Sequence, residues 1–326
     1  MATLKDVAAR AGVTVTTVSR MLNGRVHVSP ETRERINAAM RDLGYYPNEM
    51  ARSLALKNSS FIGLIVPSAE NFFFAELIHH VEAAAEKYRC RLVLCVSNQD
   101  QKKEREYYRM LLSNKVMGVI MSNFSRTFDE VTRATAPFLV FDESSHPDIP
   151  CATTDDYQGG KLAGEHLISR GCRHLVFMSG NSEKNDVSRL RGEGLASACL
   201  GAGLEPPAQI EADWNEFITM TYEPSIEKVF REYPEADGIF ASNDVIAAGI
   251  VRHCLRNRIS IPKKMKIVGY DDTSFATQCA VPLTTIHQPI RELANHAVDC
   301  IVRRARGETV PFSTKFPVRL VRRETT

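Results

Sequence analysis

Two sets of side chains in this 326-residue sequence could do chemistry, and neither is a catalytic set. The first is Thr16, Thr17, Ser19 and Arg20. If that stretch is helical, Val18, Met21 and Leu22 fall on the opposite face and the four polar groups share the solvent side. Hydroxyls and a guanidinium on one exposed helical face suit hydrogen bonding to a polyanion. The second set lies at the ends of apolar runs: Ser68, Ser122-Asn123, Asp142, Gly180-Asn181, Asn243-Asp244 and Asp271-Asp272. If the runs are parallel strands, these groups sit at their carboxyl ends, where open α/β sheets bind ligands. Acceptors and amides without a nucleophile suit a polyhydroxylated neutral molecule. Trp214, the single tryptophan, lies in a polar stretch, EADWNEF, where its ring could stack on a sugar face. Ordinary structural roles stand beside these: strand-end Asp and Asn cap loops and helices, a lone Trp fills packing, and Phe217 and Met220 fit core or pocket wall equally.

The sequence contains no G-x-S-x-G, no P-loop and no G-x-G-x-x-G after a strand. Gly159-Gly160 falls inside helical patterning, and His287 and His296 stand apart from any nucleophile. The eight cysteines form no CxxC and no ligand spacing with His, so neither an enzyme, a metal site nor a cofactor is expected. Most lie in apolar segments, as reduced core thiols do.

The elements that must position the first set are short. Thr3, followed by Asp6, caps a helix with an apolar stripe at Leu4, Val7, Ala8 and Ala11. Gly12 ends it, and a second helix runs from about Val15 to Asn23. Ser29-Pro30 starts a third, with Ile36, Ala39, Met40 and Leu43 inward and Gly44 as its stop. Two short helices joined by a Gly turn form the helix-turn-helix pattern. Residues 1–60 hold nine basic and five acidic side chains, so this part carries +4 of a net +2 and the rest carries −2. A basic head on a mildly acidic body points to DNA as the partner of the head.

Residues 1–46 are therefore read as a DNA-binding domain and 47–60 as a hinge helix and linker. Glu49 to Leu56 is too short to be helical alone; Leu54 there is either part of a plain linker or a wedge for the DNA minor groove. From Phe61 to the end, near-continuous apolar runs (FIGLIVPS, RLVLCVS, VMGVIMS, PFLVFD, HLVFMSG, DGIFASND, KIVGYDD) alternate with helical stretches. The helices are expected at 74–88, 101–114, 157–170, 188–202, 222–233, 245–257 and 290–306. That is an α/β body, 61–326, of two doubly wound parallel lobes. Lys5 and Asp6 interrupt any leader h-region, and no run reaches the ~20 apolar residues of a membrane span, so a cytoplasmic, nucleoid-associated protein is expected.

The sequence resembles the lactose repressor/galactose repressor (LacI/GalR) family of bacterial transcription factors over essentially its whole length. The resemblance is carried by LKDVAARAGVTVTTVSRMLNG, VSPETRERI, LGYYPNEMARSL, TTDDYQGG, ASNDVIAAG, IVGYDD and PLTTIHQP. It implies a homodimer, or a tetramer made of dimers, on a pseudopalindromic operator and a body similar to periplasmic sugar-binding proteins. By position it implies base contacts from Val15, Thr16, Arg20 and the wedge Leu54, with Arg20 placed for bidentate contact to a guanine. It implies backbone contacts from Thr3, Thr17, Ser19, Asn23, His27 and Ser29. For the effector it implies Phe73, Asp142, Arg189, Trp214, Asn243, Asp271 and Gln288, with Arg189 and Asp271 gripping hydroxyls from opposite lobes. Lys184-Asn185-Asp186 departs from the Arg and Thr of purine-responsive members, which leaves a sugar-like effector as the reading. A purine-responsive repressor remains an alternative, as does a catabolite-control regulator whose corepressor is a phosphorylated carrier protein. No Leu heptads follow Arg323, so a dimer is expected rather than a tetramer.

Overall fold

The computed structural model describes residues 2–22, 28–46, 60–122, 136–141, 149–180 and 186–326. The chain separates into two compact units, Met1–Ser60 and Phe61–Thr326. In the first, helices α1 (Leu4–Ala11), α2 (Val15–Leu22) and α3 (Pro30–Asp42) enclose Val7, Ala8, Ala11, Val18, Ile36 and Ala39. Each boundary has a local cause. Thr3 and Asp6 form a reciprocal capping box on α1, and Gly12 leaves it at φ 66, the left-handed region that glycine enters without strain. Thr14, which the sequence reading passed over, caps α2 by accepting from Thr17 N at 3.1 Å. Ser29 caps α3 by accepting from Thr32 N at 3.3 Å, with Pro30 at its first position.

The second unit holds two six-stranded sheets. The first contains β1 (Phe61–Val66), β2 (Arg91–Val96), β3 (Gly118–Ser122), β4 (Phe138–Phe141), β5 (Cys151–Thr154) and a late strand, β11 (Ser313–Phe316). The second contains β6 (Leu175–Ser179), β7 (Ala208–Glu211), β8 (Gly238–Ala241), β9 (Lys266–Asp271), β10 (Thr284–His287) and β12 (Arg319–Val321). Their orders are β11-β5-β4-β3-β1-β2 and β12-β10-β9-β8-β6-β7, so each lobe repeats the doubly wound 2-1-3-4-5 arrangement with one added edge strand. Of the recorded strand pairings only β10 with β12 is antiparallel. Each sheet is buried on both faces, which is why β1, β3, β4, β6, β8 and β9 read as unbroken apolar runs.

The lobes are not consecutive in the chain. The backbone passes between them at Thr154–Asp156, at His287–Ile290 and at Phe316–Arg319. Helix Asp156–Ser169 packs on helix Asp186–Gly201 in the second lobe, whereas Ile290–Ala305 returns to pack on Phe72–Lys87 in the first. At two of the crossings Asp155 N donates to Phe316 O at 3.0 Å. Because β5, β10 and β11 all end at crossings, the carboxyl edges of both sheets face the junction of the lobes.

Candidate functional site: a recognition helix and a cross-lobe hydrogen-bond network

On the head, Val15, Thr16 and Arg20 are exposed and Thr17 and Ser19 half-exposed, so the face inferred from the sequence is the solvent face of α2. The first turn of α2 carries no acidic residue, which leaves its partial positive charge for a phosphate. Thr3, Thr17 and Ser29 each hold a cap bond as well: Thr17 Oγ1 lies 2.9 Å from Thr14 Oγ1. Asn23, His27 and Leu54 lie outside the described residues.

At the junction of the lobes, one network gathers residues from the first two crossing segments. Gln288, buried at the second crossing, donates from Nε2 to Asp271 Oδ1 at 2.7 Å and accepts at Oε1 from Thr154 Oγ1 at 3.0 Å. Asp271 closes β9 at φ 111 and Asp272 follows at φ 56, conformations an L residue holds only under a tight set of contacts. Asp272 is held by Arg323 at 2.6 Å and His287 at 2.9 Å. Behind Asp271, Asp244 accepts from Thr285 Oγ1 at 2.6 Å and from Thr273 N at 3.2 Å. Burial pushes the Asp271 carboxyl up to about 7 against the opposing pull of the Arg191 guanidinium. Burial, then the neighbouring Asp271, raises Asp244 well above the usual carboxylate range.

The basic group of this network is Arg191, not Arg189. Arg191 is 8% exposed, donates from Nε to Asp156 Oδ1 at 2.8 Å and from a terminal nitrogen to Ser242 O at 2.6 Å, and lies 3.6 Å over the Tyr270 ring. Tyr270 Oη donates to the same Asp156 oxygen at 2.9 Å. Arg189 stands half-exposed in an ion pair with Glu193 at 2.5 Å. It shares the second lobe with Asp271, so the expected grip from opposite lobes is not what these two residues form. SRLR offers two arginines two positions apart, on different faces of a helix, and only packing selects the inward one.

Asn243 accepts from Ile246 N at 2.8 Å as the cap of helix Asp244–Arg256. Phe73 is half-buried against the first lobe's core and edge-on to Phe74. Its neighbour Phe72 is the ring that reaches the second lobe, stacked on Phe275 at 4.3 Å between centroids. Beside it Glu76 accepts from Ser274 N at 2.6 Å. Trp214 opens a short helix, Trp214–Thr219, rather than lying in a loop; an Asp213/Glu216 capping box starts it, a signal the sequence carried. The Trp214 side chain, Asp142 and Lys184-Asn185 lie outside the described residues. Phe217 faces Gly180 at the end of β6. Among the described residues no group of His, Cys, Asp and Glu could hold a metal ion, and no helix is long and apolar enough to cross a membrane.

Comparison with known proteins agrees with this division of labour. Residues 3–48 match the family model described as bacterial regulatory proteins, lacI family, and residues 165–326 match a periplasmic binding protein-like domain. The sucrose operon repressor of Streptococcus mutans serotype c is 35% identical over 98% of this chain and 98% of its own. The ribose operon repressor of Halalkalibacterium halodurans is 33% identical over 100% of this chain and 97% of its own. The crystal structure of the lac repressor dimer bound to operator and an anti-inducer superposes with a TM-score of 0.86, at 28% identity, covering 99% of this chain and 98% of that one. With a three-helix head that matches the lacI-family model and a two-lobed body built around a buried polar junction, this chain belongs to the LacI family of bacterial regulatory proteins, DNA-binding transcriptional repressors rather than enzymes.

Proposed function

We propose that this protein is a sugar-responsive operon repressor. As a homodimer in the cytoplasm it holds a pseudopalindromic operator at the nucleoid, and a small neutral sugar between the lobes sets its affinity. The observation that carries the reading is the charge balance of the junction. Arg191 is already paired with Asp156, and burial pushes the Asp271 carboxyl up to about 7, so that at pH 7 it carries only part of its charge. Among the described residues the junction offers acceptors, hydroxyls and amides without an unspent cation, which suits a polyol better than a phosphate or a purine. The relatives that repress sucrose and ribose operons support the same class.

In this reading Val15, Thr16 and Arg20 read bases, Leu54 wedges the minor groove from the hinge 47–60, and Thr3, Thr17, Ser19, Asn23, His27 and Ser29 set register on the backbone. Arg191 with Asp271, Gln288, Asp142, Trp214, Asn243 and Phe73 forms the effector site. A sugar favouring one disposition of the lobes must change operator affinity by the factor by which operator changes sugar affinity, typically 5–150-fold.

The test is thermal-shift screening of the full chain against sucrose, fructose, ribose, sugar phosphates and purines, with Trp214 emission followed in parallel. A neutral sugar should raise stability by about 2.7 kcal/mol at a hundredfold excess over its Kd and move the emission. A response to phosphates or purines alone would sink the reading. A silent panel would hand the role to a phosphorylated protein corepressor.

A further inference from the structure

The body carries a basic surface at the end where the chain arrives from the head. Phe61 is the first residue of β1, and all recorded pairings in its sheet are parallel, so Arg91, Gly118, Phe138, Cys151 and Ser313 open their strands at the same edge. The helices returning to that edge finish there, at Lys87, Ser113 and Ala305. Segments 86–91, 113–117 and 299–308 place seven basic and three acidic side chains on this end, on a body whose net charge is −2. Contacts confirm the clustering: a terminal nitrogen of Arg304 donates to Phe138 O at 3.3 Å, and Arg306 acts electrostatically on Tyr88 and Cys90.

Helix dipoles account for part of this charge. Lys87, Arg303 and Arg304 lie in last helical turns, and Arg303 is matched by Asp299 and Glu308. Arg89, Arg91 and Lys115 lie beyond those turns and are exposed, Arg91 on the edge of a strand. Among the described residues Arg89, Arg91, Lys115 and the exposed cap residue Arg306 form no recorded ion pair, the neighbouring pairs belonging to Arg303. Basic side chains without carboxylate partners, at the end of the body where the chain enters at Phe61, fit a phosphate backbone.

We infer that this end of the first lobe is a second, sequence-independent DNA contact. Arg89, Arg91, Lys115, Arg304 and Arg306 neutralise phosphates of the duplex that the head has selected. The inference rests on the DNA-binding assignment of the head, and the assay separates the two.

Full-length protein is titrated by fluorescence anisotropy against two probes: a duplex enriched by in vitro selection from a random pool, and the unselected pool. The slope of log K against log KCl concentration is the readout. An Arg91→Gln/Lys115→Gln/Arg306→Gln variant should lose about 0.9 of slope per phosphate contact removed. It should weaken both probes by the same factor, since phosphate contacts carry no sequence information. An Arg258→Gln/Lys263→Gln/Lys264→Gln variant makes the same charge change on exposed positions of the second lobe and should keep the wild-type slope. Equal slopes for the two triple variants would overturn the inference while leaving the head's role standing. A wild-type protein that selects no duplex would remove the DNA reading itself. Both variants are checked by thermal melting, and a lost slope counts only at wild-type stability.

Discussion

At the residue scale, the two arginines of SRLR separate by environment. Arg189 is an exposed partner of Glu193, and such pairs contribute about 0–1 kcal/mol. Arg191 is buried on Asp156 and Tyr270, and removing one member of a buried pair typically costs about 3–5 kcal/mol because the other is stranded. Arg191→Gln should therefore lower the unfolding free energy by that amount and abolish the sugar-induced thermal shift. Arg189→Gln should stay within about 1 kcal/mol of the wild type with its shift intact. Urea titration with and without ligand reads both, and equal behaviour of the two variants would refute the assignment.

At the scale of elements, one closely packed helix pair in the body explains the glycines inside its helices. Helices Asp156–Ser169 and Asp186–Gly201 approach until a Cβ at Gly160 would collide with the Arg191 carbonyl. The same holds for Gly194 and the Tyr157 carbonyl, so the glycines are there to let backbones touch, not to cradle phosphate. Alanine normally favours a helix over glycine by about 1 kcal/mol. Gly160→Ala should reverse that sign, destabilising the protein by about 1–3 kcal/mol through overpacking. It should also weaken the effector response, because Arg191 is the residue displaced. A chemical melt showing a gain in stability would contradict this packing.

Across the whole molecule, buried ionisable groups set the pH response in opposing directions. Burial pushes Glu104, whose only recorded side-chain partner is Ser97 at 3.3 Å, up to about 7, as it does Asp271. Between the ordinary carboxylate range and pH 7 the folded chain thus holds protons that the unfolded chain has released, and stability falls as pH rises. His166, pushed down to about 4 by burial, works the other way between about 4 and 6.5. Glu104→Gln removes one contribution while conserving shape. Its stability relative to the wild type should rise steadily from pH 5 to 7.5 in urea unfolding, and a pH-independent difference would rule out a buried titrating Glu104.

Much of this was legible in the residue order, for reasons that are local. Thr3 with Asp6, Gly12, and Ser29 with Pro30 act within one turn of chain, so the three head helices and the outward face of α2 follow from the sequence alone. The apolar runs of the central strands are equally explicit, because a strand covered on both faces has no polar side to show. The Asp213/Glu216 box that starts the Trp214–Thr219 helix is just as local. What the sequence could not determine depends on partners far along the chain. Strands β5 and β10 are threonine-rich, and Thr154, Thr284 and Thr285 are buried only because Gln288, Thr326 and Asp244 satisfy their hydroxyls. Which arginine turns inward, which phenylalanine spans the lobes, and why two glycines sit in a helix were decided by tertiary packing. Three chain crossings bring residues more than a hundred positions apart into hydrogen-bonding distance, as Thr154 and Gln288 show, and no local pattern of side chains encodes that meeting.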